Sequence, residues 1–147
     1  MIMWGVVALL GVVIAVLALR PASGGTENVD AAGAKAAIAA GAQIIDVRTA
    51  GEYQMGHIAG AVNVPVDQVA TSAQGWDRDA TYVVYCAVGD RSVTAVQTME
   101  SMGFNNIKHL SAGVVAWDEP LEQGAATASS TIETNGKPVM IEFFTDS

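Results

Sequence analysis

The chain contains a single cysteine, Cys86, among its 147 residues. One cysteine leaves no room for an internal disulfide framework or a cysteine-rich zinc site. Histidine is almost as scarce, with His57 and His109 too few for a metal cluster. No metal or organic cofactor is expected. Basic residues are also sparse, seven against fifteen acids, for a net charge of −8. That balance argues against a nucleic-acid binder, which needs a basic face to meet phosphates. Charged residues make up only 15% of the chain and hydrophobic ones 51%, so a packed core is within reach and general disorder is excluded. Whatever chemistry exists must run on few side chains.

The apolar residues are unevenly placed. Residues 1–19 carry no charged side chain, and the run stops at Arg20-Pro21. As a helix this stretch would be about 28 Å long, close to the hydrocarbon thickness of a bilayer. Residues 1–20 are therefore read as a transmembrane anchor, with a cleaved signal segment as the alternative. No Lys or Arg precedes the run and Arg20 disfavours a cut after Ala22, although small residues at Ala22 and Gly24 would permit one after Gly24. Arg20 and Lys35 follow the span, which points to a cytoplasmic body, with a periplasmic or secreted one as the alternative. Residues 21–147 hold all fifteen acids and six of the seven bases, a body of −9. Anionic lipid would repel it, so it should hang from its anchor.

Residues 21–28, including PASGGT, read as a linker. Asp30 is placed to cap an Ala-rich helix that stops near Gly41. QIIDV at 43–47, residues 61–64, YVVY at 82–85 and residues 107–110 read as strands. Between them, residues 49–55, 92–102 and 114–117 read as helices, the second with Val93, Val96, Met99 and Met102 on one face. Strands alternating with helices give an α/β fold with a mainly parallel sheet. Residues 122–136 read as a flexible linker and 137–147 (KPVMIEFFTDS) as an isolated β-forming stub.

Cys86 closes the apolar run YVVY and precedes Ala87, Val88, Gly89, Asp90, Arg91 and Ser92, after which a helix begins. In open parallel sheets ligands bind beyond the carboxyl ends of strands, so this cysteine stands in a reactive position. A tight loop entering a helix aims backbone N–H groups inward, and the helix start adds partial positive charge. Gly89 permits backbone angles that other residues resist. Arg91 supplies a permanent cation near the sulfur. Each feature favours the reactive thiolate over the thiol.

The stretch from about residue 29 to 121 resembles a single rhodanese domain. The matching pieces are IIDVR at 44–48, Glu52-Tyr53, GHIAGAVNVP at 56–65, YCAVGDRS at 85–92, the Met-Gly-Phe turn at 102–104 and AGVVAW at 112–117. The resemblance implies a three-layer domain, a central parallel sheet of about five strands with helices on both faces. It also implies a sulfurtransferase in which Cys86 carries sulfane sulfur as a persulfide. The sulfur would pass from thiosulfate or a persulfide donor to a thiol or cyanide acceptor, with a thioredoxin-like reductant as a further partner. Ala87, Val88, Gly89, Asp90, Arg91 and Ser92 would form the persulfide cradle. Asp46 and Arg48 match the family's acid and base near the site, as a bracing ion pair or a substrate contact. His57 falls in a motif position concerned with fold, His109 lies on a strand outside any motif, and Trp117 is read as a core aromatic.

Asp90 opposes Arg91 within the loop, so dianionic thiosulfate should be a poorer donor than a persulfide. Phosphatases and arsenate reductases on the same scaffold have one more residue between cysteine and arginine than the four found here, and Ser92 stands where they continue with arginine. The tighter ring suits one sulfur atom rather than a tetrahedral oxyanion. A non-catalytic binding or sulfur-carrier module is the remaining alternative, although such relatives typically lack the cysteine. The tail KPVMIEFFTDS resembles the first core strand of a thioredoxin domain, without the Cys-x-x-Cys pair that redox activity would need.

Overall fold

The computed structural model describes residues 24–125 and the backbone of two short strands beyond them. Strands β1 (Gly25–Val29), β2 (Gln43–Asp46), β3 (Val62–Asn63), β4 (Tyr82–Tyr85) and β5 (Asn106–Leu110) form one sheet in the order β1-β5-β4-β2-β3. Every pairing in it is parallel. Parallel neighbours need crossover connections, and helices α1 (Ala31–Ala39), α2 (Ala50–Met55), α3 (Val69–Ser72) and α4 (Asp90–Ser101) supply them. This is the three-layer α/β fold expected from the sequence.

The central strand shows why the layers form. All four residues of YVVY are buried, and their period of two sends alternate side chains to opposite faces. Tyr82, Val84 and then Cys86 face a core shared with Val69 of α3 and Ala95, Val96 and Met99 of α4. Val83 and Tyr85 face the other core, with Ala34 of α1 and Tyr53 of α2. Full burial of each such valine contributes about 1.5–3 kcal/mol. The tyrosine hydroxyls are satisfied: Tyr82 donates to the Asp77 carbonyl at 2.8 Å, and Tyr85 accepts from the Ile58 N–H at 3.1 Å.

Caps set the helix starts. Asp30 accepts from the Gly33 N–H at 2.8 Å, as its position before the Ala-rich run implied. Thr49 and Glu52 form a reciprocal capping box at α2. Helix α4 begins two residues before the expected Ser92, because Gly89 takes a left-handed conformation and Asp90 suits the positive helix end. Asp90, Arg91 and Ser92 are thus the first turn of α4 rather than loop. Its buried face is Ser92, Ala95, Val96 and Met99, which leaves Val93 44% exposed and corrects the expected stripe.

The segment expected as a linker at 21–28 is corrected in its second half. Residues 25–29 pair with β5 over their whole length, Gly25 opposite Asn106 and Val29 opposite Leu110. Gly and polar residues hide a strand at a sheet edge, where side chains need not be apolar. The expected helix at 114–117 is a single 3₁₀ turn, Val114–Ala116. At the far end, Glu122 bridges to His57 through mutual backbone hydrogen bonds of 2.8 Å, so the packed unit runs past residue 121. Strands β6 (Ile132–Thr134) and β7 (Lys137–Val139) pair antiparallel in a separate two-stranded sheet. Part of the expected flexible linker is therefore strand, and the first residues of the stub are not isolated; the pairing lends no support to a thioredoxin-like opening strand. The expected membrane segment at 1–20 lies outside the described residues. Among those described, no helix is long and apolar enough to cross a membrane.

Candidate active site

Cys86 lies just beyond the carboxyl end of β4 and is 1% exposed. Two turns hold the chain around it. Gly89 sits at φ +105°, and a Cβ there would meet the Ser111 carbonyl at 2.1 Å. Gly113 sits at φ +71°, and its Cβ would meet the Ala87 carbonyl at 2.2 Å. Only glycine permits this close approach of the turn after β5 to the cysteine loop. Hydrogen bonds lock it, from the Val114 N–H to the Cys86 carbonyl at 2.8 Å and from Val115 to Ala87 at 3.3 Å.

The loop curls back on the sulfur. The Gly89 N–H donates to Cys86 Sγ at 3.1 Å, and Ser92 Oγ lies 3.4 Å from it. Burial pushes the Cys86 thiol up, but the Ser92 hydroxyl and the N–H groups of Ser92, Gly89 and Val88 outweigh it, so the net displacement is downward. The ring favours thiolate, as the loop sequence suggested. Val88 and Asp90 are exposed at its rim, and Ala87 is half-buried.

Arg91 does not face the sulfur as a free cation. Its guanidinium forms a two-armed ion pair with Glu52, with both N–O distances 2.7 Å. That contact holds the Glu52 carboxyl down at about 2. Glu52 thereby ties the capping box of α2 to the first turn of α4.

Asp46 and Arg48 stand together as the bracing pair. Asp46 is fully buried, and its carboxylate takes Arg48 Nη2 at 2.6 Å and Nε at 3.0 Å. Arg48 Nη2 also donates to the Gly56 carbonyl at 2.6 Å. Asn63 is a buried strand residue whose amide ties the carbonyls of Asp46 and Arg48 at 3.0 and 2.9 Å. Every contact of the pair points into the scaffold. His57 likewise donates from Nδ1 to the Tyr53 carbonyl at 2.8 Å and stacks on the Tyr53 ring at 3.6 Å. Trp117 is half-buried at the edge of the core beneath Lys35.

His109 was not singled out by its sequence context, yet it adjoins the sulfur ring. Its Nε2 lies 2.7 Å from Ser92 Oγ, and its Nδ1 lies 2.8 Å from Asn28 Oδ1. The signal was available in the strand period. Ile107 and His109 share a face of β5, the strand beside β4, and Ile107 belongs to the Cys86 core. Asn28 was out of reach, since β1 itself was read as linker.

The comparisons agree with this fold. The rhodanese-like domain family matches residues 30–120, and the chain belongs to that family. The thiosulfate sulfurtransferase GlpE of Shewanella oneidensis is 35% identical over 77 residues, 52% of this chain and 76% of that protein. The probable adenylyltransferase/sulfurtransferase MoeZ of Mycobacterium tuberculosis is 35% identical over 82 residues, 54% of this chain but only 21% of that protein. Among solved structures, a rhodanese-like domain protein from Staphylococcus aureus superimposes with a TM-score of 0.60 at 29% identity, over 67% of this chain and 99% of that one.

Proposed function

We propose that this protein is a sulfurtransferase that carries sulfane sulfur on Cys86. The observation that carries the reading is the Cys86 ring, a buried sulfur at a strand end that meets the Gly89 N–H and the Ser92 hydroxyl. The Cys86 thiolate attacks the outer sulfur of a donor, the donor's remainder leaves as sulfite or a thiolate, and a persulfide forms. A thiol or cyanide acceptor then attacks the outer sulfur and releases the Cys86 thiolate. The sulfurtransferase names of relatives such as GlpE and MoeZ support the reaction class. Glu52 neutralises Arg91, and Asp90 stands exposed at the rim, which supports a persulfide donor over thiosulfate.

The test is turnover with thiosulfate or a small persulfide as donor and cyanide as acceptor, read as thiocyanate. Wild-type protein should turn over, and Cys86→Ser should not. Equal rates in the two would remove the proposal.

The charge-free run at residues 1–19 supports tethering of this domain to a membrane, with the body on the cytoplasmic side. Full-length protein should sediment with membranes, and a version starting at Ser23 should not. Recovery of uncleaved full-length protein in the soluble fraction would remove the tether.

A further inference from the structure

Ser92 has one hydroxyl proton and three acceptors around it. The Gly89 carbonyl lies at 2.8 Å, His109 Nε2 at 2.7 Å and Cys86 Sγ at 3.4 Å. One proton serves one of these well. The Gly89 carbonyl also receives the Val93 N–H at 3.2 Å, and its second lone pair keeps it an acceptor for the Ser92 proton beside sulfur and imidazole. On the far side of the ring, the Asn28 amide oxygen faces Nδ1 and can only accept, which places a proton on Nδ1.

Two of the hydrogen-bond patterns open to this cluster join the sulfur to the imidazole through Ser92. With Cys86 as a thiol, S–H donates to Ser92 Oγ, Ser92 donates to Nε2, and Nδ1–H donates to Asn28. With Cys86 as a thiolate, the Ser92 proton turns to the sulfur, and Nε2 must itself carry a proton or face the Oγ lone pairs. The second pattern differs from the first by one proton moved from sulfur to imidazole. The S–H bond breaks as an O–H bond forms, and the original Ser92 O–H breaks as N–H forms at Nε2. No other reactant is needed.

We propose that His109 is a positioning residue that takes the Cys86 proton through Ser92, so that the thiolate forms as half of a buried thiolate–imidazolium pair. This rests on Cys86 being the sulfur-carrying nucleophile. The surroundings of His109 suit the role. From β1 it meets the uncharged Asn28, while Glu27 pairs with Lys108. From β4 it meets Cys86 across Ser92. From α4, Asp90 and Glu100 line the same groove of about 410 Å³, and no Lys or Arg does. Burial lowers the His109 imidazole and the Gly89 carbonyl raises it, and the net displacement is downward, toward the neutral ring.

The test uses the full chain and the ultraviolet absorbance of its one thiolate, titrated against Cys86→Ser as blank. Asn28→Asp should move the thiolate midpoint at least about three-fold in proton concentration toward acid, by adding a negative partner at Nδ1. His109→Gln should move it about ten-fold toward alkali. In a Ser92→Ala background, His109→Gln should add nothing, because the path is already cut. Unmoved midpoints in folded Asn28→Asp and His109→Gln proteins would overturn the proposal, as would an undiminished His109→Gln effect without Ser92. The titration needs no sulfur donor. Moved midpoints in a protein that never accepts sulfur would therefore refute the sulfurtransferase reading while leaving the relay standing.

Discussion

The Glu52 carboxylate grips the Arg91 guanidinium by both arms at 2.7 Å, and that contact fixes what the cation near Cys86 can do. Arg91 contributes a field at the sulfur, but the carboxylate facing it cancels much of the charge an incoming anion would meet. The pair also joins α2 to α4 across the mouth of the loop. It acts as a clasp more than as an anion receptor.

The clasp has a pH signature. Arg91 lowers the Glu52 carboxyl from 4.5 to about 2. A depressed acid stabilises the folded state above its unfolded value and loses that contribution as pH falls through its folded value. The window therefore runs from pH 4.5 down to about 2. Both side chains are partly exposed, so the contribution is under about 1 kcal/mol. Glu52→Gln should flatten the acid limb of a urea-stability profile across this window and leave its slope near neutrality unchanged.

Asp90 governs the choice of donor in this account. Asp90→Lys should raise the ratio of turnover with thiosulfate to turnover with an uncharged persulfide donor by roughly ten-fold at low salt, from about 1–2 kcal/mol of reversed charge. The ratio matters because Asp90 also lines the His109 groove, and any effect there is common to both donors. Paired rate measurements at two ionic strengths check this, with the gain shrinking at high salt.

Arg48 tests the division between scaffold and site. Arg48→Met leaves the Asp46 carboxylate buried without its cation, which costs about 3–5 kcal/mol of stability. If the pair only braces the loop after β2, Arg48→Met with Asp46→Leu should recover much of that loss and retain turnover within a few-fold. Denaturant midpoints and thiocyanate formation on the single and double variants read the two effects separately.

The order of strands β2 to β5 and of helices α1, α2 and α4 was legible because hydrophobic period and turn residues coincide there, while the short α3 at Val69–Ser72 was not read. YVVY, the Asp30 cap and the Thr49–Glu52 box each show their structural role in the local sequence. What escaped depended on neighbours distant along the chain. GTENV at 25–29 lacks an apolar face and becomes a strand only because β5 offers an open edge. Arg91 looked like a free cation because Glu52, its partner, lies 39 residues away. His109 looked idle because its link to Cys86 runs through Ser92, 17 residues earlier in the chain. In each case a local reading assigned the residue type correctly and missed its partner.

The central claim is that Cys86 carries transferable sulfur. Intact-mass spectrometry of wild-type protein mixed with thiosulfate or a persulfide donor, followed by peptide mapping, tests it most directly. The account predicts a gain of one sulfur atom located on Cys86, absent in Cys86→Ser and removed by a thiol acceptor or cyanide with release of a persulfide or thiocyanate. A mass that never changes with any donor, or a sulfur that no acceptor can remove, would contradict it.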